Sequence, residues 1–527
     1  MTRDPLEKLS RHLVVGLAGP ALTDGERSIL SRYPVSGVIL FDRNVAGVRS
    51  LMELTQDLRR VFRESRGAVP LIAADHEGGV VSVLARAIGV PPTQMAAGRT
   101  GDAGLCERLF AENARRLRSC GVNLLLGPVA DVNSETLNPV IGSRSFGEDE
   151  GVVSNLTAVA VSAARRAGVL TCLKHFPGHG SSAVDSHLAL GALASSMDEL
   201  RRTDVRPFAR GAAAGAECVM MGHVVPRGRR LPATIDPEIV GGMLRRELGF
   251  EGVVMTDALE MEGARAAAPS LADLCRASLE AGCDTLLFSK SAEEVFAALQ
   301  SAAADSPAGF PGTDGNAPSP SSAARVSRLL DAAAAREKEW DLPNDPHVYA
   351  EIARGSIRVV GDGPPPVLPA GGWRAVFHAE KGEFERFPVR RFIERSLRSL
   401  GAPAGAGRAP SAGANGGDAA SGAAAGPGGI FPLVPLEAPG GDPGLESREY
   451  VAAAPADSGA DVVFLLNRRP VDAETARRLA AGARLVVVAG WPYAAELLSP
   501  EIRVIVTYGL YDSAADLVGG YAGVAAK

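Results

Sequence analysis

The chain has 527 residues, of which 46% are hydrophobic and 22% are charged. This length predicts two domains, and the apolar fraction is sufficient for a sizeable buried core. The formal charge of −6, without a dense run of Lys and Arg, argues against a nucleic-acid partner.

The N-terminus reads MTRDPLEKLSRHLVVGLAG, a charged start followed by one short apolar run. Because this pattern matches neither a signal peptide nor a membrane span, we expect a cytoplasmic protein that does not insert into a membrane. Six cysteines precede residue 300, and none of them forms a CxxC pair. We therefore expect reduced and mostly buried thiols.

The first 290 residues contain eight short apolar runs, each followed by a stretch with helical spacing. The runs are HLVVGLAG at 12, VSGVILF at 35, PLIAAD at 70, VNLLLGPVAD at 122, VLTCLKHF at 169, ECVMMGHV at 217, GVVMTDAL at 252 and DTLLFS at 284. Continuously apolar strands are typical of a parallel sheet that is buried on both faces. The pattern predicts an α/β fold with a (β/α)8 TIM-type barrel over residues 1–300, with an open doubly wound sheet as the alternative.

Residues 301–346 are predicted to form a linker that contains one helix, AARVSRLLDAAAAREKEW. Residues 347–527 contain five further strand-like runs and predict a smaller α/β sandwich domain. These runs are SIRVVG at 356, WRAVFHA at 373, DVVFLL at 461, RLVVVAG at 484 and IRVIVTYG at 502. An Ala/Gly-rich insertion at 401–429 has too few apolar residues to fold, so we expect it to be disordered.

The segment KHFPGHG, residues 174–180, begins at the end of the fifth predicted strand, and the motif Asp185–Ser186–His187 follows it. Five of the eight histidines cluster at or just after predicted strand ends: His76, His175, His179, His187 and His223. The loops that follow barrel strands carry the active site of this fold. A carboxylate two residues before a histidine can orient the imidazole and support its charged form, as a general acid/base requires.

Asp257 ends the seventh predicted strand, in GFEGVVMTDALEM. A carboxylate in this position could attack an anomeric carbon opposite a proton donor. The competing interpretation is an N-cap, because Asp257 precedes a possible helix, ALEMEGARA. Taken alone, this motif slightly favours the N-cap.

Seven segments together resemble glycoside hydrolase family 3, and within it the β-N-acetylglucosaminidase branch. They are AADHEGG, GPVADVNSETLNPVIGSRSFGED, LKHFPGHG, DSH, MMGHVVP, PATID and LRRELGFEGVVMTDALEM, and they cover most of residues 12–290 in the family order. KHFPGHG followed by DSH is specific to this branch. The second predicted domain only weakly resembles the α/β domain that follows the barrel in two-domain members.

The resemblance implies a retaining β-N-acetylhexosaminidase that needs no cofactor or metal and acts on a small carbohydrate, with a cell-wall muropeptide as one candidate. By position, Asp257 matches the nucleophile, and His187 matches the acid/base residue, oriented by Asp185. The residues that match sugar-binding positions are Asp75, Arg144, Lys174, His175 and His223. Glu77 is expected to be a structural partner, and His179 to shape the loop.

One departure from the family pattern concerns substrate range. Members of the family usually continue DQEGG with arginines, as in GGRVxR, whereas this chain has Val80 and Val83 at the arginine positions. Either Arg86 compensates for the second arginine or the subsite has changed. The nucleophile segment also reads TDAL where SDDL is frequent, but it retains the first aspartate.

Three alternatives to this hydrolase remain open. A metal hydrolase is disfavoured because Pro177 and Gly178 prevent His175 and His179 from lying on one helix, and HEGG is not an HExxH motif. A non-catalytic sugar-binding member is supported only by the missing arginines. A phosphorylase, in which phosphate replaces water as the acceptor, is compatible with a histidine acid/base.

Overall fold

The structure is a computed structural model in which the placement of most of the chain is described. The described residues are 5–182, 191–304, 320–337, 344–360, 375–380, 392–393, 395–396, 399–400, 433–436, 447–452, 462–466, 473–481, 483, 485–490, 492–498, 502–509 and 511–522. The Asp185–Ser186–His187 motif and the insertion at 401–429 lie outside them. The chain divides into two compact units, Met1–Glu77 with Val81–Gly89 and Gly101–Val348, and Gly78–Val80 with Val90–Thr100 and Tyr349–Lys527.

The first unit is built on eight parallel strands, one for each predicted apolar run. They are β1 (Leu13–Gly16), β2 (Gly37–Leu40), β3 (Leu71–Ala74), β4 (Leu124–Leu125), β5 (Leu170–Phe176), β6 (Cys218–Met221), β7 (Val253–Thr256) and β8 (Leu286–Ser291). The strand order is β7-β6-β5-β4-β3-β2-β1-β8. A parallel bridge between Met255 and Thr285 joins the two edges of this sheet. The predicted (β/α)8 barrel is therefore confirmed, and the open sheet is excluded.

Helices follow the strands, as the alternating pattern predicts. The α-helices of this unit are Pro5–Ser10, Asp24–Arg32, Val48–Arg66, Ala85–Ile88, Ala103–Ser119, Glu150–Arg166, Met197–Arg202, Val205–Ala213, Glu262–Arg265, Leu271–Ala281, Ala292–Ala304 and Pro320–Ala335. Short 3-10 turns lie at Asp42–Asn44, Gly142–Arg144 and Ala233–Ile235, and Glu238–Glu247 is a π-helix. Two small strand pairs are His76–Gly78 with Val81–Ser82 and Gly191–Ser196 with Val224–Arg227.

The barrel interior is one apolar cluster to which all eight strands contribute. Helix Pro320–Ala335, which lies within the range predicted to be a linker, adds Val326, Leu329 and Ala333 to this same cluster. Each of these three residues is at most 4% exposed. The helix therefore covers the interior of the barrel at one end and belongs to its core.

The second unit contains a seven-stranded mixed sheet. Its strands are β9 (Arg358–Val360), β10 (Ala375–Glu380), β11 (Leu433–Leu436), β12 (Ser447–Ala452), β13 (Val462–Leu465), β14 (Leu485–Val488) and β15 (Val504–Val506). Their order is β9-β15-β14-β13-β10-β12-β11. The five predicted strands are all present, and the described helices of this unit are Gln94–Thr100, Val348–Ser356, Ala473–Ala480 and Asp512–Ala522, with a 3-10 helix at Pro492–Leu497. The predicted α/β domain after the barrel is thus confirmed.

The second unit also includes a segment that is distant in sequence, Val90–Thr100. The Thr93 hydroxyl donates a hydrogen bond of 2.5 Å to the carbonyl of Tyr508. Gly509 has a φ of +142°, and a Cβ at this position would collide with the Thr93 side chain. Glycine is therefore required where the two segments meet.

All six cysteines are buried and none is in a disulfide, which confirms the burial expected from the sequence. Burial raises the pKa values of the Cys106, Cys275 and Cys283 thiols, so these side chains are protonated at neutral pH. Among the described helices, none combines the length and the apolar character that crossing a lipid bilayer demands.

The covering helix generates a stability prediction. Leu329→Ala should lower the free energy of unfolding of the barrel by about 2–5 kcal/mol, because it leaves a cavity in the interior cluster. The matched control is Arg328→Ala, at the exposed neighbouring position, which should change stability by no more than about 0.5 kcal/mol. Urea unfolding followed by circular dichroism measures both. Equal effects would mean that the helix does not contribute to the core.

Candidate active site

Charged side chains continue three of the barrel strands beyond the apolar interior. Side chains of a strand alternate between its two faces, so a residue two positions after an interior residue lies on the same side. In three strands that residue is charged: Asp75 follows Ala73, Lys174 follows Cys172, and Asp257 follows Met255. The C-terminal ends of parallel strands meet at one end of a barrel, so these residues line its mouth.

Lys174 is 2% exposed, and its ammonium group lies between two carboxylates. The Nζ atom contacts the carboxylate of Asp75 and lies 2.5 Å from Oε1 of Glu77. Burial lowers the pKa of Lys174, but the two carboxylates outweigh this effect and hold the pKa above its ordinary value. Lys174 is therefore a fixed cation. Its partner Asp75 is more accessible, with a 21% exposed side chain.

Glu77 joins Lys174 to Arg144. The Arg144 guanidinium donates to both Glu77 oxygens, from Nε at 2.7 Å and from Nη2 at 2.9 Å. Burial raises the pKa of the Glu77 carboxyl, but Arg144 and Lys174 more than offset this and hold it well below its usual range. Glu77 is therefore ionised, and its bidentate contact fixes the plane of the guanidinium. The arrangement agrees with the structural role predicted for Glu77.

Asp131 is a member of this site that sequence reasoning did not single out. It is fully buried and accepts hydrogen bonds from three donors: Nδ1 of His175 at 2.8 Å, the backbone N–H of His175 at 3.1 Å, and the backbone N–H of His179 at 2.8 Å. The Nε2 atom of His175 lies 3.3 Å from Nη2 of Arg144. A signal for Asp131 was available, since it is the carboxylate that ends the fourth apolar run, VNLLLGPVAD.

The loop from His175 to Gly180 packs tightly against its surroundings. Gly178 has a φ of +125°, and a Cβ there would collide with Asp204. A Cβ on Gly180 would collide with the carbonyl oxygen of Val132. The two glycines therefore allow a close backbone approach that no other residue permits. The histidine-rich motif is a rigid turn, whose end lies against the segment that contains Asp131.

Asp257 is half-buried at the end of β7. Its backbone N–H donates to the carbonyl of Met221 at 3.1 Å, and its Oδ1 accepts from the N–H of Ala258 at 2.7 Å. The next helix does not begin until Glu262, where the capping residue is Met261. The N-cap interpretation of Asp257 is therefore wrong, and the carboxylate is held by its own turn at the barrel mouth.

His223 is 1% exposed and braces the turn that follows Asp257. Its Nε2 donates to the carbonyl of Ala258 at 3.1 Å, and its Nδ1 lies 2.8 Å from the hydroxyl of Thr234. Burial lowers the pKa of His223, and the nearby Asp257 carboxylate opposes this effect. Both ring nitrogens are thus engaged by the protein, which favours positioning of the Asp257 turn. Substrate contact by His223 stays a prediction.

Two other predicted histidines have structural surroundings. His76 is buried, and burial lowers its pKa to about 3. His179 packs edge-on against the His175 ring at 5.9 Å, and burial lowers its pKa to about 4. Both rings are therefore neutral at physiological pH. The environment of His179 agrees with the loop-shaping role that the sequence suggested.

Val83, one of the two valines at the usual arginine positions of the family, lies beside Asp75. The N–H of Val83 donates to the carbonyl of Asp75 at 3.1 Å. The backbone at position 83 therefore lies at the edge of the site. Arg86 is exposed on the short helix Ala85–Ile88. The contribution of Arg86 to a subsite stays a prediction.

The site combines the Asp257 carboxylate at the barrel mouth with a charged set, which is formed by Asp75, Glu77, Asp131, Lys174 and Arg144. The carboxylates of Asp75, Glu77 and Asp131 outnumber the cations Lys174 and Arg144 by one. This set lies at the same mouth as Asp257. Within the described ranges, no group of three or more His, Cys, Asp and Glu side chains could hold a metal ion.

Comparison with known proteins agrees with this geometry. The model for the glycosyl hydrolase family 3 N-terminal domain matches residues 6–307. The β-hexosaminidase of Stenotrophomonas maltophilia is 38% identical over 282 residues, covering 52% of this chain and 82% of the relative. The β-hexosaminidase of Chromobacterium violaceum is 35% identical over 335 residues, covering 62% of this chain and 88% of that protein.

Solved structures extend the similarity to both units. A family 3 β-N-acetylglucosaminidase from Paenibacillus is 25% identical, has a TM-score of 0.76, and aligns over 98% of this chain and 96% of its own. NagZ from Neisseria gonorrhoeae, in complex with N-trifluoroacetyl-D-glucosamine, is 27% identical with a TM-score of 0.54, covering 66% of this chain and 97% of its own. The chain therefore belongs to glycosyl hydrolase family 3 and is a glycoside hydrolase.

Proposed function

We propose that this enzyme is a retaining, exo-acting β-N-acetylhexosaminidase that releases terminal β-linked N-acetylglucosamine. The observation that carries the proposal is the position of Asp257 at the end of β7, at the same end of the barrel as Lys174 at the end of β5. The similarity to enzymes named β-hexosaminidase and β-N-acetylglucosaminidase supports the choice of sugar.

In the proposed mechanism, Asp257 attacks the anomeric carbon and forms a covalent glycosyl-enzyme. His187, oriented by Asp185, donates a proton to the leaving oxygen and then accepts one from the incoming water. Positive charge develops on the sugar ring at both transition states, and the excess of carboxylates around the site stabilises it.

Sugar binding is assigned to side chains with a donor or acceptor near the open part of the site. Asp75 is the most accessible member of the charged set and is proposed to accept hydrogen bonds from ring hydroxyls. Lys174, Arg144 and His175 are proposed to hold further hydroxyls. Their common network supports this assignment, because side chains with fixed orientations bind a rigid sugar at a low entropic cost.

The natural substrate is proposed to be a muropeptide from cell-wall turnover. This part of the proposal rests on the resemblance to the N-acetylglucosaminidase branch. Activity on aryl N-acetylglucosaminide, N-acetylgalactosaminide and glucoside, each with and without phosphate, would identify both the sugar and the acceptor. Release of the sugar 1-phosphate only in the presence of phosphate would favour the phosphorylase alternative.

The first prediction concerns the nucleophile. Asp257→Ala should lower kcat by at least about 10³-fold without changing the circular dichroism spectrum, because no other group replaces a covalent nucleophile. A slow fluorinated N-acetylglucosaminide should label Asp257 in the wild type. The control Glu262→Ala removes an exposed carboxylate from the start of the next helix and should retain activity. A label recovered on another carboxylate would refute the assignment.

The second prediction concerns the proton donor. His187→Ala should slow substrates with poor leaving groups by about 10²–10⁴-fold and activated aryl glycosides far less, because the latter depart without a proton. Asp185→Ala should show the same pattern more mildly. The double variant should lose much less than the product of the two single losses, because the residues share one task.

The exposed His347 supplies the control, since His347→Ala makes the same change away from the barrel mouth. Its rates on both kinds of substrate should match the wild type. An equal loss on good and poor leaving groups in His187→Ala, with deglycosylation shown not to limit the rate, would exclude His187 as the acid.

The third prediction concerns Glu77, which forms ion pairs with both buried cations, Lys174 and Arg144. Glu77→Gln should lower the free energy of unfolding by about 3–5 kcal/mol, because Lys174 and Arg144 then share one charge fewer. The control Glu247→Gln breaks an exposed pair with Arg201 and should cost at most about 1 kcal/mol. Urea unfolding measures both. A loss in Glu77→Gln as small as in the control would show that the charges are not coupled.

Glu77→Gln should also change how the free energy of unfolding depends on pH in acid. The pKa of Glu77 is held below its ordinary value of 4.5, so its stabilising contribution is complete above that pH and declines as the pH falls toward the folded-state value. Glu77→Gln lacks this titration. Its stability should therefore decrease less steeply than that of the wild type below pH 4.5.

A further inference from the structure

A cavity of about 340 Å³ lies at the end of the barrel opposite to the mouth. Its lining includes Gly121, Val122 and Asn123, which directly precede β4 and therefore mark the N-terminal end of that strand. In a parallel barrel the active site forms at the C-terminal ends of the strands, so this cavity and the site around Asp257 lie at opposite ends. The residues that line the cavity all belong to the first unit.

Three arginines line this cavity, and they come from different segments of the first unit. Arg59 and Arg118 lie on two helices, and Arg336 lies just after a third. Burial lowers the pKa of Arg118, and the positive charges of Arg59 and Arg336 lower it further, whereas Glu337 opposes this shift. The three side chains are therefore close enough to repel one another, and this repulsion costs free energy unless an anion offsets it.

The protein itself holds two of these side chains in place. The Nη2 atom of Arg59 donates to the carbonyl of Gly121 at 2.8 Å. The Nη1 atom of Arg118 donates to the carbonyl of Gly168 at 2.9 Å and to the carbonyl of Arg336 at 2.6 Å. Because backbone contacts fix these guanidinium groups, a ligand loses little free energy in ordering them.

Nearby carboxylates balance the arginines only in part. Glu337 pairs with Arg59 at 2.6 Å, and Glu217 pairs with Arg336 at 2.6 Å but also with Arg165 at 2.8 Å. The lining of the cavity itself contains three arginines and one glutamate, a formal excess of two positive charges. The Nη1 atom of Arg336 is buried and, within the part of the chain that the structure describes, has no hydrogen-bond partner. Excess positive charge and an unmet buried donor both favour an anionic ligand.

We propose that this cavity binds the phosphate group of a small organic phosphate through the guanidinium groups of Arg59, Arg118 and Arg336. Guanidinium groups are planar and can donate to two phosphate oxygens at once. A phosphate monoester carries a charge of about −1.5 to −2 at pH 7, which matches the formal excess of two positive charges in the lining. A volume of about 340 Å³ leaves room for the organic part of the ligand as well. This site does not depend on the proposed glycosidase function.

Isothermal titration calorimetry of the full-length protein tests the site with glucose 6-phosphate, inorganic phosphate and glucose. Glucose 6-phosphate should bind, and glucose should bind far more weakly or not at all. Tighter binding of glucose 6-phosphate than of inorganic phosphate would support an organic phosphate, and equal binding would identify free phosphate as the ligand of the same arginines. A protein that binds neither phosphate, or that binds glucose as tightly as its phosphate ester, would overturn the inference.

The variant Gln56→Glu adds one negative charge to the lining without removing an arginine. Gln56 is exposed and lines the cavity, and glutamate has nearly the same shape. The Kd for glucose 6-phosphate should rise about 3- to 10-fold, because the new carboxylate repels the phosphate. The matched control Gln300→Glu makes the same change at an exposed position of helix Ala292–Ala304 and should leave the Kd within about twofold of the wild type.

The variant Glu337→Gln should have the opposite effect. It removes the carboxylate that pairs with Arg59, so the Kd should fall about 3- to 10-fold. A loss of structure could weaken binding but could not strengthen it, and phosphate bound at the barrel mouth would respond to neither variant. The control Glu247→Gln breaks an exposed pair with Arg201 and should leave the Kd unchanged. A Kd that moves in the same direction in Gln56→Glu and Glu337→Gln, or that equals those of the controls, would overturn the inference.

Discussion

The burial of Lys174 is the constraint on which the arrangement of the site depends. A lysine that is 2% exposed has lost most of the hydration of its ammonium group, which costs several kcal/mol unless nearby charges replace it. Asp75 and Glu77 supply that replacement from the loop after β3. Glu77 in turn holds Arg144, and Arg144 faces His175. Each of these side chains is therefore held in position by contacts with its neighbour in the network.

This chain of contacts runs across the sheet as well as along the sequence. Glu77 follows β3, Asp131 follows β4, and Lys174 and His175 lie in β5. These three strands are neighbours in the barrel, so the ends of their loops meet without long excursions. The position of Asp257 depends on β7, whose closing bridge to the segment before β8 completes the barrel. A barrel that failed to close would therefore displace the carboxylate from the charged set.

The sequence predicts those parts of the structure that local patterns determine. Eight apolar runs predict eight strands because a strand buried on both faces has no polar positions. Asp257 is singled out because it comes at the end of such a run, whereas the roles of Asp75 and Lys174 are implied by the resemblance to family 3. The N-cap interpretation of Asp257 fails because the helix begins five residues later, which depends on how the turn packs against His223.

Other features depend on contacts between residues that are far apart in the sequence. Asp131 and His175 are separated by 44 positions, and Glu77 and Arg144 by 67, so no local period reveals either pair. The same holds for helix Pro320–Ala335, whose apolar face is visible in the sequence but whose partner, the barrel interior, is not. The segment Val90–Thr100 belongs to the second unit through contacts such as that of Thr93 with Tyr508, 415 positions away.

The ion pairs and hydrogen bonds that Lys174, Arg144 and Asp131 already make limit what these residues can do in catalysis. Lys174 and Arg144 are each fixed by carboxylates, and the Asp131 carboxylate already accepts from three donors, so none of these groups is free to exchange a proton with the substrate. In the proposed mechanism, they contribute a preorganised field of fixed charges, which requires no rearrangement during the reaction. In the proposed mechanism, proton transfer therefore comes from a group outside this network. Asp257, the proposed nucleophile, is half-buried, and its Oδ1 accepts from the backbone N–H of Ala258 in its own turn. The proposed nucleophile and the fixed charges are thus carried by different strands of the barrel, β7 on one side and β3 to β5 on the other.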